Sequence, residues 1–119
     1  NFEEFLESLE IPYRRVEICG GDLKAAHVKS YDTEAWIPSQ NQYRELSSAS
    51  YYHDFQTRRF GIRYKDEEGK LRFVHSLNST AAATPRILVA IVENYQQADG
   101  TVKIPEVLKK YMGNREVIK

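Results

Sequence analysis

Apolar residues recur at helical spacing at the two ends of the chain and alternate with polar ones between. Phe2, Phe5, Leu6 and Leu9 fall on one side of a helix over residues 1–10. Ile11-Pro12-Tyr13 breaks it, and residues 14–19 alternate as a half-buried strand. Gly20-Gly21-Asp22 turns the chain and residues 23–29 read as a short helix. Residues 30–38 read as a strand with Tyr31, Thr33, Ala35 and Ile37 on one side and Asp32, Glu34 and Trp36 on the other. After the polar connection 39–42, a strand over 43–50 places Tyr43, Glu45 and Ser47 opposite Arg44, Leu46 and Ser48. Residues 51–59 suggest a helix with Phe55 buried, and 61–66 and 70–77 are strands around a Glu67-Glu68-Gly69 turn.

The stretch from Leu77 to Gln97 reads as a strand that empties into a helix. Thr84 supplies the side-chain oxygen of an N-cap, and Pro85 suits the first helical position, where its missing N–H costs nothing. Arg86 then lies in the first turn, Ile87, Leu88, Ile91, Val92 and Tyr95 form the buried face, and Asp99-Gly100 is the stop. Residues 101–104 are extended, and Pro105 starts a last helix over 105–112. Short hairpins with helices interspersed predict an α+β fold, an antiparallel β-sheet flanked by helices that cover one face.

Two features of this layout bear on chemistry. A helix start offers unpaired N–H groups and the positive end of the dipole, so with Arg86 it suits an anion such as phosphate. Asn78, Ser79 and Thr80 add polar groups just before it, and Ala81, Ala82 and Ala83 leave room for close approach. The same residues also suit a plain capped core helix. Glu45, within a strand beside several hydroxyls, suits a hard cation, which leans on one or two carboxylates plus substrate phosphate; it equally suits an ion pair with Arg44 or a cross-strand neighbour. Asp32 and Glu34 fit a charged strand edge or the orientation of arginines beneath a site.

Composition narrows the classes. The 119 residues suffice for one domain, and 17 cationic side chains balance 17 acidic ones. The broad basic field of a nucleic-acid binder is absent, so contact with RNA has to be local or supplied by another part of the protein. A single cysteine, Cys19, forms no disulfide within the chain and fits a reducing compartment. With no signal peptide and no apolar run of membrane-spanning length, a cytoplasmic location without membrane association is expected. His27, His53 and His75 have no metal-ligand spacing among themselves or with Cys19. Asn1 is not an initiator methionine, and the first helix is already under way, which suggests a piece of a longer chain.

Five blocks carry a resemblance: Tyr31-Asp-Thr-Glu-Ala-Trp-Ile-Pro-Ser-Gln, Tyr43-Arg-Glu-Leu-Ser-Ser-Ala-Ser, Asp54-Phe-Gln-Thr-Arg-Arg, residues 77–86 and Glu93-Asn-Tyr-Gln-Gln. With Ile104-Pro-Glu-Val-Leu and Tyr111-Met-Gly behind them, the chain resembles the C-terminal half of a seryl-tRNA synthetase catalytic domain, of class II fold, over nearly its whole length. The resemblance makes residues 77–97 the third signature motif of that class, with Arg86 on the phosphates of ATP. It assigns Glu45, Leu46, Ser47 and Ser48 to ATP, with Glu45 and Ser48 on its Mg²⁺, and Thr80 and Asn78 to the serine substrate. The implied reaction is ATP-dependent activation of L-serine to seryl-adenylate, then transfer to tRNA(Ser), without a covalent enzyme intermediate.

The resemblance also implies that residues 1–119 are the C-terminal portion of the catalytic domain. Motifs 1 and 2, the Thr-x-Glu block for the substrate amine and the N-terminal tRNA-binding arm would precede Asn1, and the full-length protein would be a homodimer. Such a fragment would be inactive alone. Inside the covered region, Cys19-Gly20-Gly21-Asp22 and Lys24 depart from the Cys-Thr-Gly-Asp pattern and the small residues that usually follow. They fit ordinary divergence or a paralogue that activates an amino acid for a non-tRNA acceptor; a non-catalytic module of the same fold is a separate alternative, against which Glu45, Ser48, Thr80 and Arg86 count.

Overall fold

The computed structural model describes residues 1–119. The chain runs through α1 (Phe2–Ser8), β1 (Tyr13–Glu17), β2 (Lys29–Ile37), a 3-10 turn (Pro38–Gln40), β3 (Gln42–Tyr51), α2 (Phe55–Phe60), β4 (Arg63–Lys65), β5 (Leu71–Phe73), β6 (Leu77–Ser79), α3 (Thr84–Tyr95), β7 (Val102–Lys103), α4 (Glu106–Lys109) and β8 (Val117–Ile118). Four strands form one sheet in the order β1-β2-β3-β6, while β4 pairs with β5 and β7 with β8. The β3–β6, β4–β5 and β7–β8 pairs are antiparallel. No helix is long and apolar enough to cross a membrane.

Two compact units can be distinguished, one of residues 1–15, 33–47 and 81–119 and the other of residues 16–32 and 48–80. The apolar core belongs to the first. Leu6 and Leu9 of the opening helical segment, Ile11, Ala35, Ile37, Leu46, Ile87 and Ala90 are buried together. Alternation along β2 explains Ala35 and Ile37, and the i, i+3 spacing of Ile87 and Ala90 explains how α3 closes on them. Polar bonds reinforce the packing. The Tyr95 hydroxyl donates to the Leu9 carbonyl at 2.6 Å, and burial raises its pKa. Asn94 Nδ2 donates to the carbonyls of Trp36 and Ala90 at 2.9 and 2.8 Å.

The second unit buries hydroxyls where the first buries aliphatic groups. Ser30 and Ser50 share a buried hydrogen bond of 2.6 Å, and Thr57 Oγ1 donates to the Val74 carbonyl. The β4–β5 hairpin turns at Gly69, whose φ of +80° suits glycine. Asp66 at the turn accepts from the Glu68 and Lys70 amides and from Arg72 Nε at 2.9 Å. The Arg72 guanidinium, followed by the Lys70 amide, holds its carboxyl below the usual carboxylate range.

Several local expectations change. Residues 23–29 form turns rather than a helix, as in the bond from the His27 amide to the Lys24 carbonyl. Only three residues separate Lys24 from Val28, whose amide already donates to the Tyr51 carbonyl of β3, too few for more than one turn. The helix expected over 51–59 begins at Phe55, because Tyr51 remains in β3 opposite Leu77. Its buried residue is Thr57, and Phe55 is exposed beneath the Arg59 guanidinium. The apolar run 70–77 divides into β5 and β6, which pair with different strands. α3 ends at Tyr95, not at Gly100, because Gln96 turns extended and bridges to Val102. Leu88 and Val92 are exposed, and with Ile91 they line a groove shared with β7 and α4.

Candidate active site

Arg86 is the third residue of α3, so the first-turn placement holds, whereas the cap does not. The N-cap position is Ala83, Thr84 is already helical, and no side chain caps the helix. The first amides are thereby left to solvent or a ligand. From this start Arg86 reaches β3, where its Nη1 donates to the Glu45 carbonyl at 2.8 Å and stands 3.8 Å from the Glu45 carboxylate. Both side chains are about half exposed, at 58% and 47%. A pair this open contributes at most about 1 kcal/mol. Its guanidinium has five N–H donors, so most remain for a stronger bidentate partner.

Around this pair lies a pocket of about 430 Å³ in the first unit, floored by Ile37, Leu46 and Val89 and edged by Gln40, Arg44, Glu45 and Arg86. Two guanidiniums against one carboxylate make its rim anion-seeking. Arg44 does not pair with Glu45. Its Nε donates to Gln40 Oε1, so the cation beside Glu45 is Arg86, contributed by an element 41 residues away. Gln40 and Arg44 were not singled out in the sequence as pocket residues. A period of two separates Arg44 from Glu45, and nothing local signals that a pocket receives both.

Behind the pocket Glu93 fixes the turn before β3, accepting from the Ser39 amide at 3.0 Å and the Ser39 hydroxyl at 2.8 Å. Leu46 and Ser47 are both buried although adjacent, so the strand is covered on both faces there. Leu46 forms the apolar floor of the pocket. Glu34 accepts from Arg14 Nε at 2.5 Å, and Arg14, more than half exposed, lies 4.6 Å from the Tyr43 ring centroid, an ion pair that fits the charged strand edge as well as the orientation of an arginine.

The other candidate residues belong to the second unit. Asn78 pairs in register with Ser50, and with Tyr31, Tyr51 and Leu77 these residues line a smaller pocket of about 260 Å³. Thr80 follows β6 directly and is exposed, as Asn78 is; Ser48 on β3 is half-buried. The histidines show what spacing cannot reveal. The Tyr51 hydroxyl lies 2.8 Å from His53 Nδ1 and 2.7 Å from His75 Nδ1, and the two imidazoles are 5.1 Å apart. A phenol has one proton, so it donates to one ring and accepts from the other. Gly20 has open space where a Cβ would point, and Lys24 is exposed in the turn segment.

An uncapped helix start carrying Arg86 opposite a strand carboxylate, on a sheet flanked by helices, makes an anion-seeking site. The chain belongs to the class II tRNA synthetase core-domain family, described for the G, H, P, S and T enzymes, whose model matches residues 1–95. Within it, the similarity is to serine–tRNA ligases. The chain is 53% identical over 118 residues to that of Deinococcus radiodurans, covering 99% of this chain and 28% of the relative. It is 56% identical over 119 residues to that of Pyrococcus abyssi, covering 99% and 26%. Among solved structures, seryl-tRNA synthetase from Pyrococcus horikoshii complexed with ATP superimposes with a TM-score of 0.92 at 54% identity, over 98% of this chain and 26% of that one. The cytoplasmic serine–tRNA ligase of Naegleria fowleri with AMP gives 0.89 at 49%, over 99% and 28%. The chain therefore spans little more than a quarter of the length of these relatives.

Proposed function

We propose that this chain is part of the catalytic domain of a serine–tRNA ligase and supplies the groups that hold ATP and serine during adenylate formation. One observation carries the proposal: Arg86, at an uncapped helix start, faces Glu45 across an anion-seeking pocket in a chain more than half identical to serine–tRNA ligases. In this reading Arg86 leaves the Glu45 carbonyl and takes the ATP phosphates bidentately, which the weakness of its present contacts favours. Leu46, Ser47 and Ser48 contribute to the ATP subsite.

Glu45, the acid in the pocket, would hold Mg²⁺, and the resemblance adds the hydroxyl of Ser48, three positions along β3 and on its other face by the period of two. Both are oxygen ligands of the hard kind this ion takes with waters and phosphate. When bound, the ion neutralises phosphate charge. Glu45 keeps a carboxylate at the pocket rim, Arg86 withdraws charge from the pyrophosphate leaving group, and the apolar floor of Ile37, Leu46 and Val89 limits water.

Thr80 and Asn78 recognise serine by pairing with its hydroxyl and polar groups. The serine carboxylate attacks the α-phosphate, pyrophosphate leaves, and the seryl group passes to the terminal adenosine of tRNA(Ser). The full-length protein acts as a homodimer in the cytoplasm, where the lone Cys19 remains a thiol.

Serine selectivity tests this reading. The chain is exchanged for the matching segment of the Deinococcus radiodurans enzyme, and amino-acid-dependent ATP–pyrophosphate exchange is measured with serine and with alanine. Serine is expected to be preferred by a factor of about 10⁴, as for sites built to pair a substrate hydroxyl, and Thr80→Val to reduce the preference at least about tenfold. Equal use of alanine, or a preference untouched by Thr80→Val, contradicts the assignment.

A further inference from the structure

Adenylate formation gives no task to the cluster of Tyr51, His53 and His75, all in the second unit. The backbone brings them together from two sides. The Tyr52 amide donates to the Ser76 carbonyl at 3.1 Å and the Ser76 amide to the His53 carbonyl at 2.9 Å, so the turn that leaves β3 is bonded to the segment that enters β6. Tyr51 pairs in register with Leu77 just beyond. His53 has a left-handed φ of +47°, and its ring lies edge to the Tyr51 ring with centroids 4.7 Å apart.

What converges is a set of donor atoms. The Tyr51 hydroxyl lies 2.8 Å from His53 Nδ1 and 2.7 Å from His75 Nδ1. No group of three or more histidine, cysteine, aspartate or glutamate side chains in the chain could hold a metal ion, so the phenol has to be the third donor. For metal–ligand bonds of about 2.0–2.1 Å, nitrogen and oxygen atoms this far apart subtend about 85° at the ion. A tetrahedral ion needs about 109°, which would spread the same atoms to about 3.3 Å. The bite is that of a tetragonal ion with nitrogen and oxygen ligands, copper(II) or nickel(II), of which copper(II) stands higher in affinity. Both imidazoles are exposed and the phenol is half-buried, so an ion reaches them from solvent and water completes its coordination. Asp54 and His75 line one cavity with Arg58, Asp66 and Arg72, but the Asp54 carboxylate is taken up by Arg58 at 2.7 Å and is not counted as a ligand.

We infer that Tyr51 Oη, His53 Nδ1 and His75 Nδ1 form a binding site for a tetragonal divalent transition-metal ion, copper(II) foremost. In the hydrogen-bonded cluster the phenol donates to one ring and the other ring donates through Nδ1. On coordination the phenol proton passes to solvent and the donating ring carries its proton on Nε2 instead. Each ligand then presents a lone pair, and one proton leaves for each ion bound to neutral imidazoles. The ion ties the turn after β3 to the segment before β6. The site does not depend on the reading of the chain as part of a ligase.

The test uses the full-length chimera with the Deinococcus radiodurans enzyme described above, purified without a histidine tag, beside its His53→Asn and Tyr51→Phe variants. Asparagine tolerates the left-handed backbone at position 53. Copper(II) is titrated at pH 8 against glycine as a competing chelator, visible absorption is recorded, and proton release is read by calorimetry in two buffers. The unmodified chimera is expected to bind one ion per chain at this site, with a phenolate-to-copper charge-transfer band and release of about one proton. His53→Asn should weaken that binding at least about a hundredfold, the upper end of the effect of losing a mere supporting partner, and Tyr51→Phe should abolish the band. Copper that binds all three proteins alike is adventitious and overturns the site, as does binding without the band. Zinc bound as tightly as copper would contradict the tetragonal geometry. If either variant does not fold, as read by far-ultraviolet circular dichroism, the other decides. A chimera without ATP–pyrophosphate exchange counts against the proposed function and not against this site, whose readouts need no turnover.

Discussion

At the residue scale, Arg86 is held by little and can give much. Its carbonyl contact with Glu45 and the long approach of the two charged groups are half exposed, so removing the side chain should leave stability nearly intact. Arg86→Ala in the full-length chimera is expected to slow adenylate formation by about 10²–10³, the usual effect of losing a charged contact to a developing anion, with an unchanged melting temperature. Equal exchange rates for both forms would remove Arg86 from the site. Tyr95 shows the converse role. Its hydroxyl bonds a carbonyl inside the core, so Tyr95→Phe should cost about 1 kcal/mol in urea unfolding and leave exchange per folded molecule unaffected. Arg86 was visible in the sequence because proline before it and apolar spacing after it marked a helix start. Its partnership with Glu45 was not, since 41 intervening residues carry no local signal of contact.

At the element scale, hydrophobic period located most helices and strands, and local polar chemistry decided their ends. Thr84 has the ideal side chain for a cap, yet the helix takes in Thr84 and leaves Ala83 outside. The run before β6 resembled one strand because periodicity does not register a change of partner; only pairing of β6 with β3 and of β5 with β4 divides it. The hairpin also has a predictable acid response. Asp66 has a lowered pKa in the folded state, so its stabilisation is fully present above the unfolded value, about 3.9, and is lost as the pH falls through the folded value. Wild type should therefore protect the β4–β5 amides from hydrogen exchange better than Asp66→Asn at pH 7, and the difference should vanish towards pH 2. A difference independent of pH would show that the carboxylate charge is not what closes the turn.

At the scale of the whole molecule, the core is small and concentrated. Leu6 and Leu9, both with no exposed surface, come from the first nine residues, so the opening helix is integral to the first unit. Leu9→Ala should destabilise it by about 2–5 kcal/mol, measured by denaturant unfolding. The fold class was legible because alternating strands, hairpins and an amphipathic helix admit few architectures. The site was legible only in part, because helix starts and strand carboxylates occur in many folds, and it was the ordered blocks from Tyr31 to Gln97 that singled out one family. What distinguishes two units from one was not legible, since β1, β2 and β3 each contribute residues to both.

The isolated chain spans little more than a quarter of its relatives and is expected to show no serine-dependent ATP–pyrophosphate exchange. The decisive measurement is the same exchange after the chain replaces the corresponding segment of the Deinococcus radiodurans enzyme. Exchange with serine within about tenfold of the parent, a difference of no more than about 1.4 kcal/mol in activation free energy, is the result expected if these residues complete a serine–tRNA ligase site. A folded chimera that exchanges with no amino acid, or with one other than serine, would contradict it.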